Sequence, residues 1–138
     1  MCKLFVEADP SLWALRTHSF RVHGAGTSIR LELFFWSVLE RIAARDGLSL
    51  AQLVTRLQDE MIENGLELGN FASFLRVCCG RYLSLQLDGD IPTDERVPIR
   101  ALDAEGVLAR ERARRLGRPA SLPANRPGGA PGAQQIPA

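Results

Sequence analysis

The chain has 138 residues, room for one small domain with short extensions, since domains typically run to about 100–150 residues. Lys and Arg number 17 against 16 Asp and Glu, so net charge alone points to no polyanionic partner, and no apolar run approaches the roughly 18 residues that span a bilayer. Cys2, Cys78 and Cys79 form an odd set with an adjacent pair, a poor disulfide framework; with no signal-peptide pattern at the N-terminus, a cytoplasmic protein without a membrane partner is expected.

Charge is unevenly distributed. From Pro10 to Leu31 there is no acidic residue, while Arg16, Arg21 and Arg30 are interleaved with His18 and His23. Within "DPSLWALRTHSFRVHGAG", Ser11 to Leu15 suits a short helical turn and Ser19 to His23 suits extended chain. "TSIRLE" is clearer, because period-two geometry sends Thr27, Ile29 and Leu31 to one face and Ser28 and Arg30 to the other. A lone strand cannot satisfy its own backbone groups. No strand of matching quality follows nearby, so the expected partner is the same strand of a second copy, antiparallel across a two-fold axis.

Two amphipathic helices follow. Phe35, Leu39, Ile42 and Ala43 define the first, closed by Gly47, which adopts a left-handed C′ conformation at no steric cost. Ser49 and Gln52 form a capping box that starts the second, with Leu50, Leu53, Val54 and Leu57 on its apolar face. A third helix is expected from Phe71 to about Leu83, with Asn70 as its N-cap. Phe35 and Trp36 read as core and Phe34 as partly exposed, in preference to a platform for stacking bases. Beyond Asp88 the chain turns polar and rich in turn formers. The expected organisation is a leader or arm over 1–24, a domain over 25–87 and a largely disordered tail over 88–138, with a polar helix over 102–116. The last 46 residues carry 8 basic against 5 acidic side chains, a weak attraction to nucleic acid at most.

A short strand, a helix, a Gly-containing turn and a second helix resemble the ribbon-helix-helix family of bacterial DNA-binding proteins, typified by the Arc and methionine repressors. The resemblance covers Gly26 to about Leu57. Together with "ADPSLW…HSFRVHG" before it and "NFASFLRVCCGRYL" after it, the pattern is similar to a branch of small bacterial ribbon-helix-helix proteins, over Met1 to about Leu83. The resemblance implies a mainly α fold, a ribbon-helix-helix with an additional C-terminal helix, in an obligate homodimer sharing a two-stranded antiparallel ribbon. Its dimer core would hold Ile29, Leu31, Phe35, Leu39, Ile42, Leu53, Val54 and Leu57.

Carried over from the family, the outward side chains of the ribbon enter the major groove of double-stranded DNA. Ser28 and Arg30 then become base readers, with Gly26 at the next outward position leaving one contact empty. The start of the second helix, Leu48, Ser49 and Leu50, would hold phosphate, although Ser49 is needed as a cap with or without DNA. Arg21, with His18 and His23, reads either as a basic arm on the sugar-phosphate backbone or as part of a leader packed on the dimer.

Other chemistry finds no support. There is no CxxC or HxxxH pair, and Cys78 and Cys79 lie about 100° apart on a helix, so no metal site is expected. Neither a phosphate-binding G-x-x-x-x-G-K nor a nucleophile-elbow G-x-S-x-G occurs, and nothing assists Cys2 as a nucleophile. No cofactor and no enzyme are expected. The leading expectation is a sequence-specific DNA-binding transcriptional regulator. Its rival is an antitoxin-like or scaffold module, in which Ala101 to Leu116 folds against a protein partner; the near-neutral folded part and the blank at Gly26 favour that rival.

Overall fold

The strand that the sequence leaves without a partner finds one in its own chain. In a computed structural model, which describes residues 2–117, Leu15–Val22 (β1) and Ala25–Glu32 (β2) pair antiparallel as a two-stranded sheet. Ser19 stands opposite Ser28, Arg21 opposite Gly26 and Thr17 opposite Arg30. His23 and Gly24 make the turn with φ of +50° and +81°, so both central residues are left-handed, as a type I′ hairpin requires. His is one of the few side-chain-bearing residues that enters this region readily, and its imidazole Nε2 is held 2.7 Å from Asp59 Oδ1.

This corrects the expectation that β2 must borrow its partner from a second copy. The leader is not an arm over 1–24, because eight of its residues are a strand of the sheet. It begins with a short helix, Cys2–Val6 (α1), and a 3-10 turn at Pro10–Trp13, which Asp9 caps by accepting from the Ser11 N–H.

Glu32 ends β2 and the chain turns directly into Leu33–Arg45 (α2), whose first N–H donates to Ala14 O at 2.8 Å. Leu50–Glu63 (α3) and Phe71–Leu87 (α4) follow. The α2–α3 turn is local chemistry. Gly47 has φ +68°, its N–H donates to Ala44 O, and the Leu48 N–H donates to Ala43 O, a Schellman closure. Ser49 and Gln52 then complete a reciprocal capping box, with bonds of 2.8 and 3.1 Å. Asn70 precedes α4, yet its side chain makes no capping bond there, contrary to expectation.

One face of the sheet, His18, Phe20 and Val22 with Thr27, Ile29 and Leu31, lies toward the helices. Trp36 is its centrepiece: the buried indole packs against the rings of His18 and Phe20 at 4.4 and 5.9 Å and donates its N–H to Arg16 O at 2.9 Å. Ile29, Leu31, Leu39, Leu53 and Val54 are buried inside a single chain, and Phe35, Ile42 and Leu57 are half-buried. These residues, expected to form a core between two copies, sit in the core of one, because β1 and the buried Phe71, Leu75, Cys79 and Tyr82 of α4 supply the apolar surface that a partner would have brought. Burial pushes the Cys78 thiol up to about 11 and that of Cys79 to about 12, so both stay protonated at neutral pH.

The segment after α4 corrects a second expectation. Residues 88–102 are not a disordered tail. They are tied to the C-terminal end of α2 by the buried Arg45, which donates to the carbonyl oxygens of Pro92 (2.6 Å), Asp94 (3.0 Å) and Val97 (2.6 Å) and to the Tyr82 hydroxyl (3.2 Å). Asp46 adds a bond from the Ile99 N–H at 2.6 Å, and Ile91 is buried. The chain divides into two units after Leu102. In the second, Ala104–Leu116 (α5) is a mostly exposed helix capped by Asp103, which accepts from the Gly106 N–H at 3.2 Å. Residues 118–138, expected to be disordered, lie outside the described residues.

Two outcomes are expected. Arg45→Met leaves three carbonyl groups and the Tyr82 hydroxyl without their donor, which costs about 3 kcal/mol. Urea denaturation should show this loss, and limited proteolysis should show new cleavage between 88 and 100. Arg76 holds Glu32 through two bonds of 2.8 and 3.1 Å and keeps its carboxyl below the ordinary value of 4.5. A depressed carboxyl contributes stability above its unfolded pKa and loses it as pH falls through the folded one. Glu32→Gln should therefore cost about 1 kcal/mol at neutral pH, and the gap to wild type should close in melts taken progressively below pH 4.5.

Candidate nucleic-acid interface

The face of the β-ribbon turned away from the helices is built from alternate residues of both strands. Thr17, Ser19 and Arg21 of β1 lie beside Arg30, Ser28 and Gly26 of β2, and all six are exposed. The two serine hydroxyls meet at 3.1 Å in the middle. Arg30 and Arg21 stand on opposite strands at opposite ends of this surface. Neither has a hydrogen-bond or ion-pair partner among the described residues, so two guanidinium groups project with all five N–H donors uncommitted. Glu32, the next outward position of β2, is neutralised by Arg76.

The arrangement is what an antiparallel ribbon needs to enter a DNA major groove. Two strands stand about 4.8 Å apart and the groove is about 12 Å wide. The helices keep the ribbon rigid, because the packing of Trp36 and the buried Phe20, Val22, Ile29 and Leu31 leaves its inner face no freedom to rotate outward.

Of the residues expected to contact bases, Ser28 and Arg30 are on this surface with exposed side chains, and Gly26 is there as bare backbone with open space where a Cβ would stand. Thr17 and Ser19 were not among the expected contacts. Their signal was the alternation of exposed and apolar positions in "THSFRV", masked by a histidine at an inward position. His18 and His23 do not join a basic arm: the first packs at a tilt against Trp36 and the second is bound to Asp59.

At the start of α3 the Leu48 N–H is engaged by Ala43 O and the Ser49 N–H by the Gln52 side chain. That leaves the N–H groups of Leu50 and Ala51, with the Ser49 hydroxyl proton, to meet an anion at the positive end of the helix. An open depression of about 670 Å³ links this helix start to Arg21: Leu48, Ala51, Gln52 and Arg56 line one part of it, while Asp59, Glu60 and Glu63 make the far part acidic. A phosphate is therefore accommodated only toward the N-terminal end of α3.

Among the described residues no group of three or more His, Cys, Asp or Glu side chains is placed to hold a metal, and no helix is long and apolar enough to cross a membrane.

No curated protein matches the chain. A solved structure, that of an uncharacterized protein from Bordetella pertussis Tohama I, is 50% identical, aligns over 94% of this chain and 98% of its own length, and superposes with a TM-score of 0.76. The family model for the ribbon-helix-helix domain matches residues 15–83, which span β1 through most of α4. The chain belongs to the ribbon-helix-helix family, whose members are typically DNA-binding regulators.

Proposed function

We propose that this protein is a sequence-specific DNA-binding transcriptional regulator of the cytoplasm that inserts its β-ribbon into the major groove. The observation that carries the reading is the outer ribbon face: exposed hydroxyls and two unpartnered guanidinium groups on a rigid two-stranded sheet, in a family that typically binds DNA. Arg30 suits the O6 and N7 acceptors of guanine, to which its planar fork donates two parallel bonds. Ser28 beside it donates or accepts according to the base it meets. Leu50 at the start of α3, with the Ser49 hydroxyl, holds a backbone phosphate and fixes the register in which the ribbon sits.

A homodimer is part of the reading, on a ground different from strand pairing. Ile62 and Leu66 are more than half exposed and Leu68 more than a third, together at the end of α3 and in the turn that follows it. A second copy covering these side chains removes them from water and brings a second ribbon to the DNA.

Purified protein should bind duplex DNA with an affinity that falls steeply with salt, and Arg30→Ala should lose about 1–3 kcal/mol of discrimination at one base pair in a competition assay. Absence of salt-dependent binding, or an Arg30→Ala protein that selects the same sequences as wild type, contradicts base reading. Sedimentation at micromolar concentration should give a dimer that Ile62→Asp dissociates; a monomeric wild type contradicts the homodimer.

A further inference from the structure

β1 and β2 repeat one short pattern. Ser19-Phe20-Arg21-Val22 and Ser28-Ile29-Arg30-Leu31 are both serine, apolar, arginine, apolar, at a spacing of nine residues. The register gives the repetition a geometric meaning. Ser19 pairs with Ser28, so a two-fold axis through that pair and normal to the ribbon carries Ser19 onto Ser28, Arg21 onto Arg30, Phe20 onto Ile29 and Val22 onto Leu31. Burial obeys the same axis: the four apolar residues are buried, and both serines and both arginines are exposed.

From this we infer that the hairpin of a single chain is by itself a complete groove-reading ribbon, in which Arg21 is the equivalent of Arg30 and reads a base pair at the opposite end of the contacted segment. The inference rests on the DNA-binding reading above and reassigns Arg21 from phosphate contact to base recognition. Gly26 fits it. Gly26 faces Arg21 across the ribbon and places no competing side chain opposite it. The acidic Asp59, Glu60 and Glu63 in the depression on the α3 side of Arg21 repel a phosphate from that side, which leaves the groove floor as the accessible anchor. The hydroxyl pair at the centre spans the middle of the segment between the two arginines.

The test is selection from a randomised duplex pool with wild type, Arg21→Ala, Arg21→Lys and Arg30→Ala, each followed by a salt titration on the wild-type site. Arg21 is exposed and unpartnered among the described residues, so melting curves should show all three variants folded. Arg21→Ala should lose about tenfold or more in affinity and relax preference at one base pair, and Arg30→Ala should relax a different one at the mirrored position. Arg21→Lys keeps the charge but not the fork, so it should keep the salt slope near wild type while still relaxing that base pair. Uniform weakening across all sequences in Arg21→Ala, with a salt slope smaller by about one and rescue by lysine, identifies a phosphate contact and overturns the inference. So does an Arg21→Ala protein that selects and binds as wild type does. Failure of wild type itself to select DNA overturns the underlying DNA-binding reading as well, and that outcome is distinct from the other two.

Discussion

Eight residues of β1 paired in register with eight of β2 decide, through a period of two, which side chains meet the helices and which meet solvent. A slip of one residue in either strand would turn that strand's guanidinium into the apolar layer beneath Trp36 and its apolar residues into water. The register is guarded from several directions. The left-handed His23-Gly24 turn fixes the loop length, Asp59 grips the His23 ring, and the Trp36 indole is bonded to the backbone of β1 at Arg16. The helices thus serve the ribbon as a vice that presents one face of it, unchanging, to whatever lies outside.

Arg45 plays the complementary role at the other side of the molecule. Burying a guanidinium would be costly, but backbone carbonyls from three residues and a tyrosine hydroxyl replace the water it gives up. In return it organises a segment whose composition cannot organise itself. Residues 88–102 contain few large apolar groups, and their order depends on being donated to at defined points.

Legibility in the sequence follows the range of the interactions. The Gly47 closure and the Ser49–Gln52 box lie within a few residues of each other, and local chemistry announces them. So does the alternation of β2. β1 is harder to see, since His18 stands at an inward position where an aliphatic side chain is expected, and only Trp36, 18 residues further on, makes an aromatic slot for it. The pairing of β1 with β2 and the grip of Arg45 on Pro92, Asp94 and Val97 join residues through folding, so composition alone suggests a missing strand in the one case and a tail in the other. On the ribbon, Ser28 and Arg30 were legible from one strand's alternation. Thr17 and Ser19 were not, because their place on the surface exists only once the two strands are in register.

The covalent link between the two strands has a consequence for how such a surface changes over generations. In a ribbon shared by two copies, one codon alters both strands at once, and the surface is held to perfect symmetry by genetics. Here the strands are encoded separately, and a mutation at position 30 leaves position 21 as it was. The departure is already visible where threonine stands at 17 and glycine at its symmetry mate, 26. One end of the ribbon is free to drift, lose a contact or acquire a new one while the other end holds its partner in place.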